Sequence, residues 1–235
     1  MKQLVAKMFV VLLALSAGTA AVCLQEIKSE ITRSRAIELR RKSVEEYRKQ
    51  QDLFVEKAYR QVLKDKAIEV EPNALSAALE NQDSSVKLAA AYFLGREGRK
   101  SVAPVLRSLL GDSDSIIRLA AAEELATLGD ASGLSAVIKE TSSESATIRQ
   151  TSVGLVLDFA KFPEKIPQVE QVLQRALEDE NKDVRLTSAA SMALLGDPSL
   201  ILALKTARDK ERDSSTKEIM AEHVRWLEYL QSLKP

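Results

Sequence analysis

Cysteine and histidine each occur once in this chain of 235 residues. A single cysteine builds no disulfide framework. One cysteine with one histidine is too few for a zinc cluster of thiolate and imidazole ligands. Glycine (8) and proline (6) are scarce, which argues against a β-rich fold with many turns and points to long helices. Aromatic residues make up 4%, too few for an array of base-stacking platforms. Excess charge is missing too, because 34 basic side chains balance 34 acidic ones. That balance argues against nucleic acid as a partner. The chain has no Ser-His-Asp set, glycine-rich phosphate loop or metal-ligand spacing. We therefore expect no catalytic residue, no metal and no cofactor, and read the chain as a non-enzyme.

The neutral sum hides three segments of different character. Residues 1–25 carry +2, residues 26–66 hold 12 basic and 8 acidic side chains, and residues 67–235 carry −6. In the first segment, Lys2 and Lys7 precede an uncharged run of 17 residues, 8–24. The basic start, the apolar stretch and small residues up to Ala21 fit a signal peptide. The run is also just long enough for a membrane anchor, so both readings stay open. Either one gives an exported or membrane-anchored protein of the cell envelope, with membrane association through residues 8–24. The basic residues that follow, from Lys28 to Lys42, would keep the bulk of an uncleaved chain on the cytoplasmic side. Cys23 follows Ala20, Ala21 and Val22, a poor match to a lipoprotein processing site, and reads as a small hydrophobe.

Residues 26–66 contain no glycine or proline and are rich in good helix formers. Glu38–Lys42, Glu45–Lys49 and Glu56–Arg60 place the acid four residues before the base, which supports a helix. Arg41 and Gln51 interrupt a heptad pattern. We expect a solvated, charged helical stalk whose last turns pack on the next domain through Phe54, Tyr59 and Val62.

Residues 67–235 repeat. Val86-Lys87, Ile117-Arg118, Ile148-Arg149, Val184-Arg185 and Thr216-Lys217 each open a similar stretch. Four residues after the base stand Ala91, Ala122, Val153, Ala189 and Ala221, and seven after it Leu94, Leu125, Val156, Met192 and Val224. Offsets of −1, +4 and +7 share one helix face. Eleven after the base, Gly98, Gly129 and Gly196 stand where a helix needs a left-handed residue to end. A first helix precedes each of these, at about 74–79, 102–110, 134–139, 169–177 and 200–207, with a polar turn between. Ser, Asp and Asn in those turns suit helix caps.

This pattern resembles the HEAT-repeat family in its short, phycobilisome-lyase-like form. Asp112, Asp114, Ile117, Arg118, residues 120–122, Leu128, Gly129 and Asp130 carry the resemblance, echoed by Asp179, Val184, Arg185, Leu195, Gly196 and Asp197. It implies an all-α, right-handed α-solenoid of about five helical hairpins, here preceded by the stalk. The third unit departs from the pattern, with Gly154 inside its helix and Ala160 in place of the closing glycine. In the family the recurring Arg braces a turn by bonding an Asp, and Asp83, Asp112, Asp114 and Asp179 are near enough in sequence here. His223 has no paired ligand and reads as a surface or interface residue. Trp226 reads as the seal of the last repeat.

Stacked hairpins present a long curved surface, which suits a protein partner. The expected function is a non-enzymatic protein-binding scaffold or adaptor at the cell envelope. A chromophore-lyase-like enzyme subunit and a purely structural stalk or spacer are the alternatives. Five residues after each base, Tyr92, Glu123, Gly154, Ala190 and Glu222 are expected to be exposed and to vary as a binding face would. Tyr92, Glu123 and Glu222 are the candidate contact residues.

Overall fold

The computed structural model describes residues 33–233. The leader at 1–25 and Cys23 lie outside the described residues. Among the described residues no helix is long and apolar enough to cross a membrane.

The described chain is an all-α solenoid. A long helix α1 (Arg33–Asp65) comes first. Five hairpins follow: α2 (Pro72–Ala78) with α3 (Ser84–Arg96), α4 (Ala103–Leu109) with α5 (Ser115–Thr127), α6 (Leu134–Glu140) with α7 (Ala146–Leu155), α8 (Ile166–Ala176) with α9 (Lys182–Leu195), and α10 (Ile201–Lys210) with α11 (Ser214–Ser232).

Local chemistry sets the ends of these helices. Asp83, Asp114, Asn181 and Asp213 each accept a backbone N–H at the start of a second helix, satisfying donors that have no partner within the helix. Asp130 and Asp197 do the same for the short 3-10 turns that lead into α6 and α10. Gly98, Gly129 and Gly196 adopt φ of 79°, 83° and 74°, as their shared offset predicts. Arg99 N and Asp130 N then reach back to the Leu94 and Leu125 carbonyls, closing the wrapped helix end that a left-handed residue permits. α1 ends the same way, with Ile68 N on the Leu63 carbonyl, but the left-handed residue is Ala67 at φ 55°.

The irregular third unit is visible. Ser145 makes no side-chain cap, α7 stops at Leu155, and the chain tightens into a 3-10 helix over Val156–Lys161. The insertion forms a further 3-10 turn at Pro163–Lys165 before α8. Phe159, fully buried, fills the space beneath.

The last turns of α1 pack on the first hairpins through Tyr59 and Val62, as expected, but its start, expected to be a solvated stalk, is packed as well. Tyr59 and Leu63, at the C-terminal end of α1, belong to the core of the first hairpins with Leu88, Tyr92 and Leu106. Ala36, at the other end, belongs to the core of the last hairpins with Met192, Val224 and Leu227, and Ile37 packs against that core. One helix therefore joins the two cores. Val62 is half-buried, but Phe54, expected to pack, is 57% exposed.

Candidate protein-binding face

The second helices α3, α5, α7, α9 and α11 stack on one another, and the recurring base fixes their spacing. The Arg118 guanidinium donates to the Asp112 and Ser113 carbonyls of its own turn and, from Nε, to Glu140 of the next hairpin at 2.8 Å. Arg149 donates to the Ser143 and Glu144 carbonyls and bidentately to Asp179, both at 2.8 Å. Arg185 donates to the Asp179 and Glu180 carbonyls and to both oxygens of Glu211, at 2.7 and 2.8 Å. Each fork thus closes its own turn and clasps the next repeat. The fit is geometric, because a planar guanidinium offers paired donors to one carboxylate.

Of the four acids expected near these bases, Asp179 alone takes a guanidinium through its carboxylate. Asp83 and Asp114 cap helices, and Asp112 accepts from the Ser84 hydroxyl. Glu140 and Glu211, which the sequence did not single out, complete the series. Arg185 holds the Glu211 carboxyl down at about 2, against the opposing effect of burial. With their carboxylates engaged, these bases form no row of anion sites. At the two ends the base is lysine. Lys217 reaches only the Asp209 carbonyl, at 3.5 Å.

An offset of +5 points away from the −1, +4 and +7 columns, so the candidate contact positions do face out of each hairpin. Helix α1 lies on that side, against α3, α9 and α11. Tyr92 is therefore 3% exposed rather than open. Its ring meets Tyr59 of α1 with centroids 4.9 Å apart, and the Arg96 guanidinium lies over it at 4.9 Å. Gly154 and Ala190 are buried as well. Glu123 and Glu222 remain half-exposed. The exposure expected of Tyr92, Gly154 and Ala190 is thus corrected: all three are buried, and α1 packs against the helices that carry Tyr92 and Ala190.

Beneath the Tyr59 end of α1 lies Glu124, 8% exposed. Burial pushes its carboxyl up to about 7 against the pull of Arg96, and Asp52 adds to the rise. Arg96 itself bridges to Asp52 of α1 at 3.4 Å. Burial also pushes the Tyr59 phenol well up, reinforced by Glu124 and Glu123. These groups lock α1 to α3 and α5.

The other end is anchored by arginines. Arg33 donates from Nε to the Leu230 carbonyl at 2.9 Å, at the C-terminal end of α11, where a cation complements the helix dipole. The Arg40 guanidinium lies 4.7 Å over the Trp226 ring and 3.3 Å from His223 Nδ1. Trp226 donates to the Ala193 carbonyl at 2.9 Å, tying α11 to α9. Burial, helped by Arg40, pulls His223 down to about 3, so it is a neutral interface residue. Between the anchors α7 and α9 carry buried polar side chains. Gln150 donates to Thr187 at 3.2 Å, and the Thr151 and Ser191 hydroxyls have no partner among the described residues.

Among the described residues no group of three or more His, Cys, Asp and Glu is arranged to hold a metal. A broad groove of about 480 Å³ lies elsewhere, lined by Arg107, Asp130, Phe162 and Glu164 among others. Arg107 and Asp130 are paired across it at 2.5 Å.

Comparison with known proteins agrees with the repeat geometry. Residues 71–158 match the family described as HEAT repeats. No curated protein matches the chain. Similar solved structures include the crystal structure of an engineered protein, 18% identical with a TM-score of 0.48, covering 74% of this chain and 85% of that one. The matched span holds the first three hairpins, α2 to α7, which are similar to HEAT repeats.

Proposed function

We propose that this chain is a non-enzymatic protein-binding scaffold of the cell envelope. HEAT repeats are generally protein-interaction scaffolds. The observation that supports the reading here is the seating of α1. The second-helix face already accommodates a long helix through aromatic, cation–π and backbone contacts at both ends. Helix-in-groove recognition between chains uses the same contacts. Glu123 and Glu222, half-exposed on this face, form the acidic rim offered to a partner. The apolar run at 8–24 supports the envelope assignment.

A photo-crosslinking residue placed at Glu123 or Glu222 of the full chain in cells tests the surface. The expected result is one specific adduct from both positions and none from Lys139, exposed on the first helix α6. Equal labelling at all three positions, or no adduct, contradicts the proposal. The mature N-terminus and membrane fractionation test the location. An uncleaved chain in the soluble fraction contradicts it.

A further inference from the structure

Helix α1 has a second side, which turns away from the solenoid. Its exposed side chains are Glu38, Lys42, Lys49, Leu53, Phe54, Lys57, Arg60, Gln61, Lys64 and Asp65. Steps of seven, four, four, three and four residues keep 42, 49, 53, 57, 60 and 64 on one face. Among the described side chains the exposed charges of α1 from residue 42 to 64 are basic, with the exposed acids Glu38 and Asp65 at the two ends of this stretch. In the middle of this strip Leu53 is 67% exposed and Phe54 57%. Single exposed apolar residues are ordinary. An adjacent Leu-Phe pair framed by lysines is the composition of a helix that lies in a lipid interface.

We infer that this outward face of α1 docks on an anionic phospholipid surface. Leu53 and Phe54 enter the headgroup boundary, while Lys57 and Lys64 extend alongside them to the lipid phosphates. The nearby acids have partners within the protein: Asp52 with Arg96 at 3.4 Å, Glu56 with Arg60 at 2.8 Å, Glu38 with Lys42 at 3.0 Å, and Asp65, which accepts from the Gln61 amide at 2.6 Å. Arg60 also lies over the Phe93 ring of α3 at 4.9 Å, so its charge is drawn toward the solenoid and the lysines carry the outward charge. Charge orients the whole molecule. Residues 67–235 carry −6 and are repelled by the surface that attracts α1. The docked molecule therefore rests on α1 and holds its repeats away from the lipid. This proposal does not depend on residues 8–24 or on the scaffold reading, because the two sides of α1 are distinct.

The test uses the full chain with phosphatidylcholine vesicles, with and without phosphatidylserine. Phe54→Trp supplies a reporter over the background of buried Trp226. Its emission is expected to shift to the blue on vesicles that contain phosphatidylserine and to stay unchanged with phosphatidylcholine alone. Lys57→Glu with Lys64→Glu, both at solvent positions, is expected to lower phosphatidylserine-dependent binding about tenfold or more. Leu53→Ser with Phe54→Ser is expected to lower it as well. An unchanged emission at position 54 on bound protein means that residues 8–24 alone hold the vesicle, and overturns the proposal. Wild-type binding by the lysine-reversal variant also overturns it.

Discussion

Ile37 rests on Gly196. A Cβ added at that glycine would stand 2.9 Å from both Cγ1 and Cδ1 of Ile37. The closing glycine of the fourth hairpin is thus also the seat of the first described helix. Gly98 ends its helix in the same conformation, φ 79°, with nothing within 4 Å of an added Cβ. Gly98→Ala is expected to cost about 1 kcal/mol, the strain of a left-handed alanine. Gly196→Ala is expected to cost about 1–2 kcal/mol more, for the displaced Ile37. Urea unfolding of the two variants, each alone and with Ile37→Ala, checks this. The excess should disappear in the Ile37→Ala background.

Ala67 is the one non-glycine residue with positive φ among the described residues. Ala67→Gly is expected to stabilise the chain by roughly 0.5–1 kcal/mol, because it removes the Cβ clash and keeps both hydrogen bonds of the helix end. A higher thermal midpoint with unchanged helicity is the readout.

The arginine clasps separate strong pairs from weak ones. Arg149→Ala leaves Asp179, 12% exposed, without its fork, and leaves two turn carbonyls unpaired. The expected loss is about 3 kcal/mol, and Arg149→Lys should recover little of it. Arg107→Ala breaks a pair whose arginine is 52% exposed and should cost under about 1 kcal/mol. Denaturant midpoints of the three variants decide this.

Two buried groups bend the pH profile in opposite directions. The Glu124 carboxyl is raised from 4.5 to about 7, so it binds its proton more tightly when folded. Its contribution is complete below pH 4.5 and is lost as pH climbs to about 7. The loss amounts to roughly 3 kcal/mol. Glu124→Gln removes it and should be more stable than wild type at pH 8. Melting temperatures of the two proteins across this range give the answer.

His223 is lowered from 6.5 to about 3. The contribution of its neutral ring is complete above pH 6.5 and falls away as pH drops towards 3. Glu211, held at about 2 by Arg185, adds a further loss below pH 4.5. The two buried groups offset each other between about pH 4.5 and 6.5. A stability plateau is expected there, with a steep acid limb below it. His223→Gln should flatten that limb, as read from acid unfolding followed by circular dichroism.

The repeats were legible because each hairpin solves its packing locally. The apolar columns beside Lys87, Arg118, Arg149, Arg185 and Lys217 lie on one helix turn and the next, and Gly98, Gly129 and Gly196 mark ends that few other residues can make. The interruption at Gly154 and Ala160 was legible for the same reason. The partners of the arginines were less so, because a fork takes whichever carboxylate the next hairpin places at its tip. Glu140 and Glu211 do that as well as Asp179. The seat of α1 left almost no trace in the sequence. Its contacts join Arg33 to Leu230 and Arg40 to His223, 197 and 183 positions apart. Among the described residues its apolar packing comes from Ala36, Ile37, Val55, Tyr59, Val62 and Leu63, clustered near its two ends, so its apolar pattern is sparse. The +5 positions Tyr92 and Ala190 are buried on helices against which α1 packs, which no local pattern announces.

A stack of hairpins that touches only its neighbours deforms like a spring, since small rotations add from one repeat to the next. This one is spanned. α1 is a single helix of 33 residues, about 50 Å long, pinned at Arg33 and Ala36 on one end and at Leu63 on the other. It acts as a strut across the arc, fixing the curvature and carrying load between the first and last hairpins without passing through those between. Pulling on either end should meet a stiff body that yields abruptly when the strut lets go, rather than one that stretches repeat by repeat.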